Sequence, residues 1–131
     1  MTVRPLVKFP NAERVIIDAL DAVLTEPVRA DVPNPRPSTF VTVRRIGGPR
    51  RNDVVDEPTV AVECWAATPT TAEDLAQRCR AHFHALTGQT VNGVVIYRTA
   101  EFGGPVNLPD PDSKQARYTF TATAQLRGEA L

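Results

Sequence analysis

No stretch of this chain approaches the ~18 apolar residues that a membrane-spanning helix needs. Its opening, MTVRPLVKFP, has basic residues but not the uninterrupted apolar run of a secretory signal. The chain therefore reads as soluble, without a membrane partner, and as not exported by a signal peptide. Neither sign of charge is in excess: fifteen Lys and Arg balance fifteen Asp and Glu. That excludes the global basic footprint that drives nonspecific nucleic-acid binding, so any attraction to DNA must be local. Cysteine is scarce as well. Cys64 and Cys79 sit in apolar patterned segments without CxxC spacing, which argues against a disulfide framework and fits a reducing compartment. No internal repeat or low-complexity tract occurs, and 131 residues amount to about one domain.

The marks of small-molecule chemistry are missing too. There is no G-x-S-x-G, and Ser38 and Ser113 both lie in Pro-rich connections, far from the sharp turn that a hydrolytic nucleophile needs. Cys79 and His82 are one helical turn apart, but His84 points to another side of the same helix. Cys79 also falls on an apolar stripe, so a core cysteine is the better reading than a zinc ligand. Asp53, Asp56, Glu57, Asp110 and Asp112 lack the ligand spacing of a calcium loop and read as soluble loop ends. The chain is accordingly read as not an enzyme, with no cofactor and no metal.

What is abundant is proline: twelve residues, about twice the usual ~5%, clustered in connections. Asn11 is a good N-cap for an amphipathic helix of about 13 residues carrying Val15, Ile16, Ala19, Leu20, Val23 and Leu24, ended by Glu26-Pro27. The Pro-rich stretch 25–39 is extended and cannot be a central strand, although 28–32 could add a short edge strand. β-Branched residues then predict a strand over 40–46, with Val41 and Val43 on one face and Phe40, Thr42 and Ile46 on the other. A second strand over 59–66 pairs with it as an antiparallel hairpin. Thr70 and Glu73 read as a capping box opening a helix with Leu75, Ala76, Cys79, Phe83 and Leu86 inward and Gly88 just past its end. A third strand is expected at 91–98. The fourth, ARYTFTATAQLR at 116–127, alternates an apolar face with a Thr/Arg face that is wet or meets a partner. The fold class expected is α+β: a mostly antiparallel sheet of about four strands with two main helices packed on it, in the order α-β-β-α-β-β, with long projecting hairpin loops.

Three segments stand out as contact candidates. Residues 1–10 form an apolar arm through Val3, Leu6, Val7 and Phe9 that must pack on something. Residues 44–52, RRIGGPRRN, place Arg44, Arg45, Arg50 and Arg51 around a Gly-Gly-Pro corner with Pro49 and Asn52. GGPRRN superficially resembles a phosphate loop, but it lacks the G-x-x-x-x-G-K-[ST] spacing and precedes no helix. Asp53, Asp56 and Glu57 follow at once, so much of this charge is expected to be compensated locally; for the arginines, a solvated hairpin tip, a protein contact and a DNA contact all stay open. Loops at 47–58 and 102–115 both run well past the 2 to 5 residues usual for hairpins. The second holds Phe102, Val106 and Leu108 stiffened by Pro105, Pro109 and Pro111, a composition suited to docking.

The phrases VPNPRPSTFVTVRRIGGPRRN, VECWA, AEDLAQRCRAHFHAL and EFGGPVNLPDPDSKQARYTFTATAQLRG span nearly the whole chain. Together they resemble the tail terminator (tail completion) proteins of siphophages that infect actinobacteria, with NPRPxxFVxVRRxGG and GGPxxLPDPxSxxxRY specific in combination. The resemblance implies an αβ fold similar to the lambda-type terminators and a homohexameric ring at the head-proximal end of the tail tube. Such a ring ends tube polymerisation and then accepts the head connector, while DNA passes through its lumen without being read. It places the protein in the virion tail at the head-tail junction, and in host cytoplasm during assembly. Rival expectations are another head-tail connector, a tail tube component, or a small cytoplasmic ligand-binding α+β domain. The last would need a deep pocket with converging polar groups.

Overall fold

The structure, a computed structural model, describes residues 5–131; Val3 of the arm lies outside them. Its elements in chain order are β1 (Val7–Lys8), α1 (Ala12–Asp21), β2 (Val28–Arg29), β3 (Phe40–Arg45), β4 (Val55–Asp56), β5 (Thr59–Ala66), α2 (Pro69–His84), β6 (Thr90–Val91), β7 (Val94–Asn107), β8 (Ala116–Arg127) and β9 (Glu129–Ala130). The mixed α+β class with two helices and a mostly antiparallel sheet is as expected. The strand count is not: the main sheet has seven strands, ordered β2-β3-β5-β8-β7-β6 with β4 also on β8, and β1 and β9 form a separate ribbon.

The extra strands have local causes. Residues 91–98 are not one strand, because Asn92 and Gly93 both adopt positive φ and turn the chain between β6 and β7, as Asn-Gly does in tight hairpins. Val55↔Arg127 and Asp56↔Leu126 continue the same register as Thr59↔Thr123. β4 and β5 are thus one ladder against β8, interrupted at Pro58, which lacks the N–H that a central strand requires. β7 runs on to Asn107, so the first part of the expected loop 102–115, residues 102–107, is strand. The hairpin of β3 and β5 and the short edge strand β2, which pairs parallel to β3, are as expected.

Asn11 caps α1 by accepting the Arg14 N–H through Oδ1 at 3.1 Å. The helix stops at Asp21, shorter than the expected 13 residues, and Asp21 accepts the Val28 N–H at 3.2 Å to hold the turn into β2. α2 begins earlier than expected. Its cap is Thr68, whose hydroxyl accepts the Thr71 N–H, with Pro69 in the first turn, so Thr70 and Glu73 do not form the cap. Proline is well suited there because the N–H it lacks would have no helical partner.

Both helices pack on one face of the sheet, over Val41, Val43, Val60, Val62, Cys64, Phe120, Ala122, Ala124 and Leu126. Phe83 of α2 meets Phe120 edge-on with centroids 6.2 Å apart. Burying side chains of this size contributes about 1.5–3 kcal/mol each. Cys64 and Cys79 are both fully buried in this core, and the adjacent Cys79 thiol together with burial raises the Cys64 thiol well above its ordinary value.

The opposite face carries a second, polar cluster. Trp65 stacks on Phe40 with centroids 5.2 Å apart, and its Nε1–H donates to Thr42 Oγ1 at 3.0 Å. The Thr42 hydroxyl donates to Glu63 Oε1 at 3.2 Å, and Arg117 donates to Glu63 Oε2 at 3.4 Å. Arg117 also lies over the Trp65 ring, 4.8 Å from its centre. Toward the Leu126 end this Thr-bearing face is half-buried rather than covered.

Candidate contact surfaces

The first candidate, residues 44–58, is tied down from within. Arg45 donates to Asp56 Oδ2 at 2.9 Å, to the Gly47 carbonyl at 3.1 Å and to the Gly48 carbonyl at 3.0 Å, while its own N–H is held by Glu13 Oε2 at 2.7 Å. The Asp56 side chain is only 5% exposed, and that of Arg45 33%. Asn52 Oδ1 accepts the Val54 and Val55 N–H groups at 2.9 and 2.8 Å, and the Arg51 N–H donates to the Val55 carbonyl at 2.9 Å. Residues 46–54 therefore fold back toward the β8 end of the sheet instead of projecting freely.

Of the residues singled out there, Arg45 organises the loop and the Asn52 side chain closes its turn. Pro49 and the side chains of Arg44, Arg50 and Arg51 are exposed. Those three arginines make only long ion pairs: Arg44 with Glu63 at 3.8 Å, Arg50 with Asp53 at 3.7 Å and Arg51 with Glu57 at 3.9 Å. Exposed pairs of this kind are worth about 0–1 kcal/mol.

The arm packs on the chain's own C-terminus. β1 pairs with β9, and the Leu131 N–H donates to the Leu6 carbonyl at 2.9 Å. Gly128 is needed here because a Cβ would run into the Val7 and Phe9 side chains. Val7 and Phe9 are half-buried, whereas Leu6 and Leu131 stay exposed side by side. A shallow groove lined by Pro5, Leu6, Val7, Arg50 and Asp53 joins the arm to the arginine loop.

The second candidate is built differently. β7 has three register breaks against β8. Ile96 and Arg98 oppose the consecutive residues Leu126 and Gln125, so Tyr97 is an inserted residue; Glu101 and Gly103 oppose Ala122 and Thr121, so Phe102 is another. Gly104 and Pro105 together oppose Phe120. Bulges re-aim side chains, and here Phe102 is left 77% exposed beside exposed Val106 and Leu108. Tyr97 is held back by accepting a hydrogen bond from Arg127 at 2.7 Å.

The strand carrying Phe102 is anchored. Arg80 of α2 grips both carboxylate oxygens of Glu101, and this bond lowers the Glu101 carboxyl and raises the Arg80 guanidinium relative to their ordinary values. Beyond Leu108 the turn is closed by Asp110, which accepts from the Ser113 hydroxyl and N–H and is thereby held below the usual carboxylate range. Arg36 donates to Ser113 Oγ at 3.0 Å and Gln115 Oε1 at 2.9 Å while lying 5.5 Å from the Trp65 ring centre. Gln115 reciprocates to the Ser38 carbonyl at 3.0 Å. The NPRP and LPDPDS phrases, far apart in sequence, thus form one fastened surface.

The two candidates lie at different points along β8. Val55 pairs with Arg127, whereas Phe102 lies between the partners of Ala122 and Thr121 and Asn107 opposite Tyr118, so the edge begins about 20 Å and ends about 30 Å from Val55 at ~3.4 Å per residue. Sequence reasoning missed Arg36, Tyr97 and the Glu63–Trp65–Arg117 cluster. Arg36 could have been suspected as a lone cation inside a proline run, but nothing local points to its partners.

Among the described residues, no group of three or more His, Cys, Asp or Glu is placed to hold a metal ion, and no helix is long and apolar enough to cross a membrane. No protein-family model and no curated protein matches the chain.

Proposed function

We propose that this chain is a structural virion protein that forms a homohexameric ring on the head-proximal end of a phage tail tube. The ring ends tube polymerisation and offers the surface for head-tail joining. The observation that carries the reading is a pair of unlike contact surfaces held about 20–30 Å apart on one sheet: an arginine and arm end, and a bulged apolar edge. A closed ring requires two different patches per subunit, because each copy meets its two neighbours through different surfaces. An exposed Phe forgoes about 2–3 kcal/mol of burial, which a neighbouring subunit recovers on assembly.

Further support comes from the two phrases on which the resemblance rests, since Arg36 binds them into one surface. Residues 44–52 and 102–112 make the subunit, tube and connector contacts, and Leu6, Val7 and Phe9 hold the arm. Arginines that face the lumen meet passing DNA as phosphate charge without reading bases.

Mass photometry of the purified chain, with and without tail tubes, tests this directly, paired with negative-stain imaging of tube ends. Rings of defined size seated on tube ends are expected. A chain that neither forms rings nor binds tube ends overturns the reading.

A further inference from the structure

The outer edge of β7 ought to be a hazard. β6 covers only Val94 and Val95. Ile96 exchanges backbone bonds with Gly88 and Gln89, and the Thr99 N–H is taken by the Thr87 hydroxyl at 3.1 Å. From residue 100 to residue 107, no strand among the described residues pairs with that side. An unpaired edge of this length is a template for another chain. It is here, within six residues, that two of the three register breaks fall, together with Gly103, Gly104 and Pro105. Pro105 offers no N–H to any neighbour, and each bulge turns the row of donors and acceptors away from a straight ladder. Gly103 lets the bulged strand lie close to β8, since a Cβ there would stand 2.9 Å from Thr121 Oγ1. The far edge of the sheet is blunted by other means: β2 has two residues and is followed by Pro33, Pro35 and Pro37.

We infer that the Phe102 and Gly104-Pro105 bulges are a ladder stop. They prevent a second copy of this chain from adding its own β7 edge to edge, and leave side-chain contact through Phe102 as the way this edge associates. Two β7 edges would meet antiparallel as an isologous pair, so loss of the stop produces pairing of whole molecules. The inference goes beyond the ring reading and holds without it, because an unguarded edge endangers any soluble assembly protein.

Deletion of Phe102 and Gly104 together with Pro105→Val removes both insertions and leaves the strand from Arg98 to Asn107 in one-to-one register with Gln125 to Tyr118, a straight ladder. Light scattering of this variant is expected to show the weight-average mass rising with concentration toward twice the parent's, with new amide-exchange protection over 100–107. Adding Val106→Lys is expected to return the mass to the parent's, because a lysine guards an edge. A folded deletion variant that keeps the parent's mass overturns the inference. If circular dichroism finds it unfolded, deletion of Phe102 alone and deletion of Gly104 alone decide: a concentration-dependent rise in mass in either supports the stop, and two folded variants with unchanged mass remove it. Tube-end capping by the parent is read separately, so failure of the ring reading and failure of the ladder stop are distinguishable.

Discussion

The arginine loop and the β7 edge both read in the sequence as long connections built for contact, and they have opposite internal economies. In the loop the polar groups are largely satisfied within the chain: Arg45 by Asp56 and two carbonyls, Asn52 by two backbone amides. Along β7 the strand is anchored by Glu101, but its largest apolar side chain has nothing to bury against. The difference teaches that charge density in a sequence is a weak guide to a contact surface, because charges can compensate one another locally. An apolar side chain pushed out by a bulge has no such local remedy.

The largest effect is expected from removing the loop's inner partner. Asp56→Ala leaves the half-buried Arg45 guanidinium without its carboxylate and is expected to destabilise the fold by about 3 kcal/mol, the low end for a severed buried pair because Arg45 retains some solvent. Urea unfolding measures it. A loss below about 1 kcal/mol, the value of an exposed pair, would mean that the loop is not held from within.

Gly48→Ala probes the same lock through the backbone. Gly48 has φ +93°, and a Cβ would stand 2.6 Å from the Thr59 nitrogen and against the Glu57 carbonyl. A cost of about 2–3 kcal/mol is expected from left-handed strain plus overpacking. Gly47→Ala, with φ +118° but open space around the new methyl, should cost about 1 kcal/mol. Equal costs at the two positions would show that close approach to residues 57–59 is immaterial.

At the other end the expected signature reverses. Phe102→Ala should leave the unfolding midpoint of the isolated chain unchanged, since the ring is 77% exposed. It should weaken ring formation or tube-end binding by about 2 kcal/mol, roughly 30-fold, as a buried aromatic anchor does. A variant that loses fold stability but assembles normally would turn the β7 edge into a structural element and erase the contrast.

How much of this was legible beforehand follows from the range of each interaction. The alternation in 116–127, the hairpin of 40–45 with 59–66 and the edge strand at 28–29 depend on side-chain period and proline placement, and they are readable. The Asn92-Gly93 turn was also written locally, but apolar residues around it masked it as one strand. The bulges at Phe102 and Gly104-Pro105 were not legible, because a register break exists only relative to β8. Compensation of the loop arginines by the acids that follow them was legible, but that Asp56 in particular locks Arg45 was not, and Arg36 gave no sign of Ser113 and Gln115, 77 and 79 residues on. The surface exposure of Phe102, Val106 and Leu108 was anticipated; the strand that presents them was not.

Acid should loosen the β7 edge. Arg80 holds the Glu101 carboxyl below its ordinary value of 4.5, so its contribution is complete above that value and is lost as pH falls through the depressed folded value. Amide exchange over 98–107, corrected for intrinsic rate, should therefore quicken on acidification in the parent chain. In Glu101→Gln it should be faster at neutral pH and nearly indifferent to that change. Parallel pH profiles for the two proteins would mean that the clamp does not restrain β7.

The smallest effect is expected from the feature most conspicuous in the sequence. Arg50→Ala with Arg51→Ala removes two exposed side chains whose ion pairs are 3.7 and 3.9 Å long, so fold stability should change by less than about 0.5 kcal/mol. In the proposed assembly they stand at the rim of a contact, where charge governs the rate of encounter more than the strength of the complex. Association should slow several-fold at low salt, and parent and variant should converge near ~0.5 M salt, where screening shortens the reach of a charge to a few ångströms. A variant whose dissociation quickens tenfold at all salt concentrations would place these arginines in the buried centre of an interface. The loop and the edge would then stand as equal anchors, against the order argued from their internal bonding.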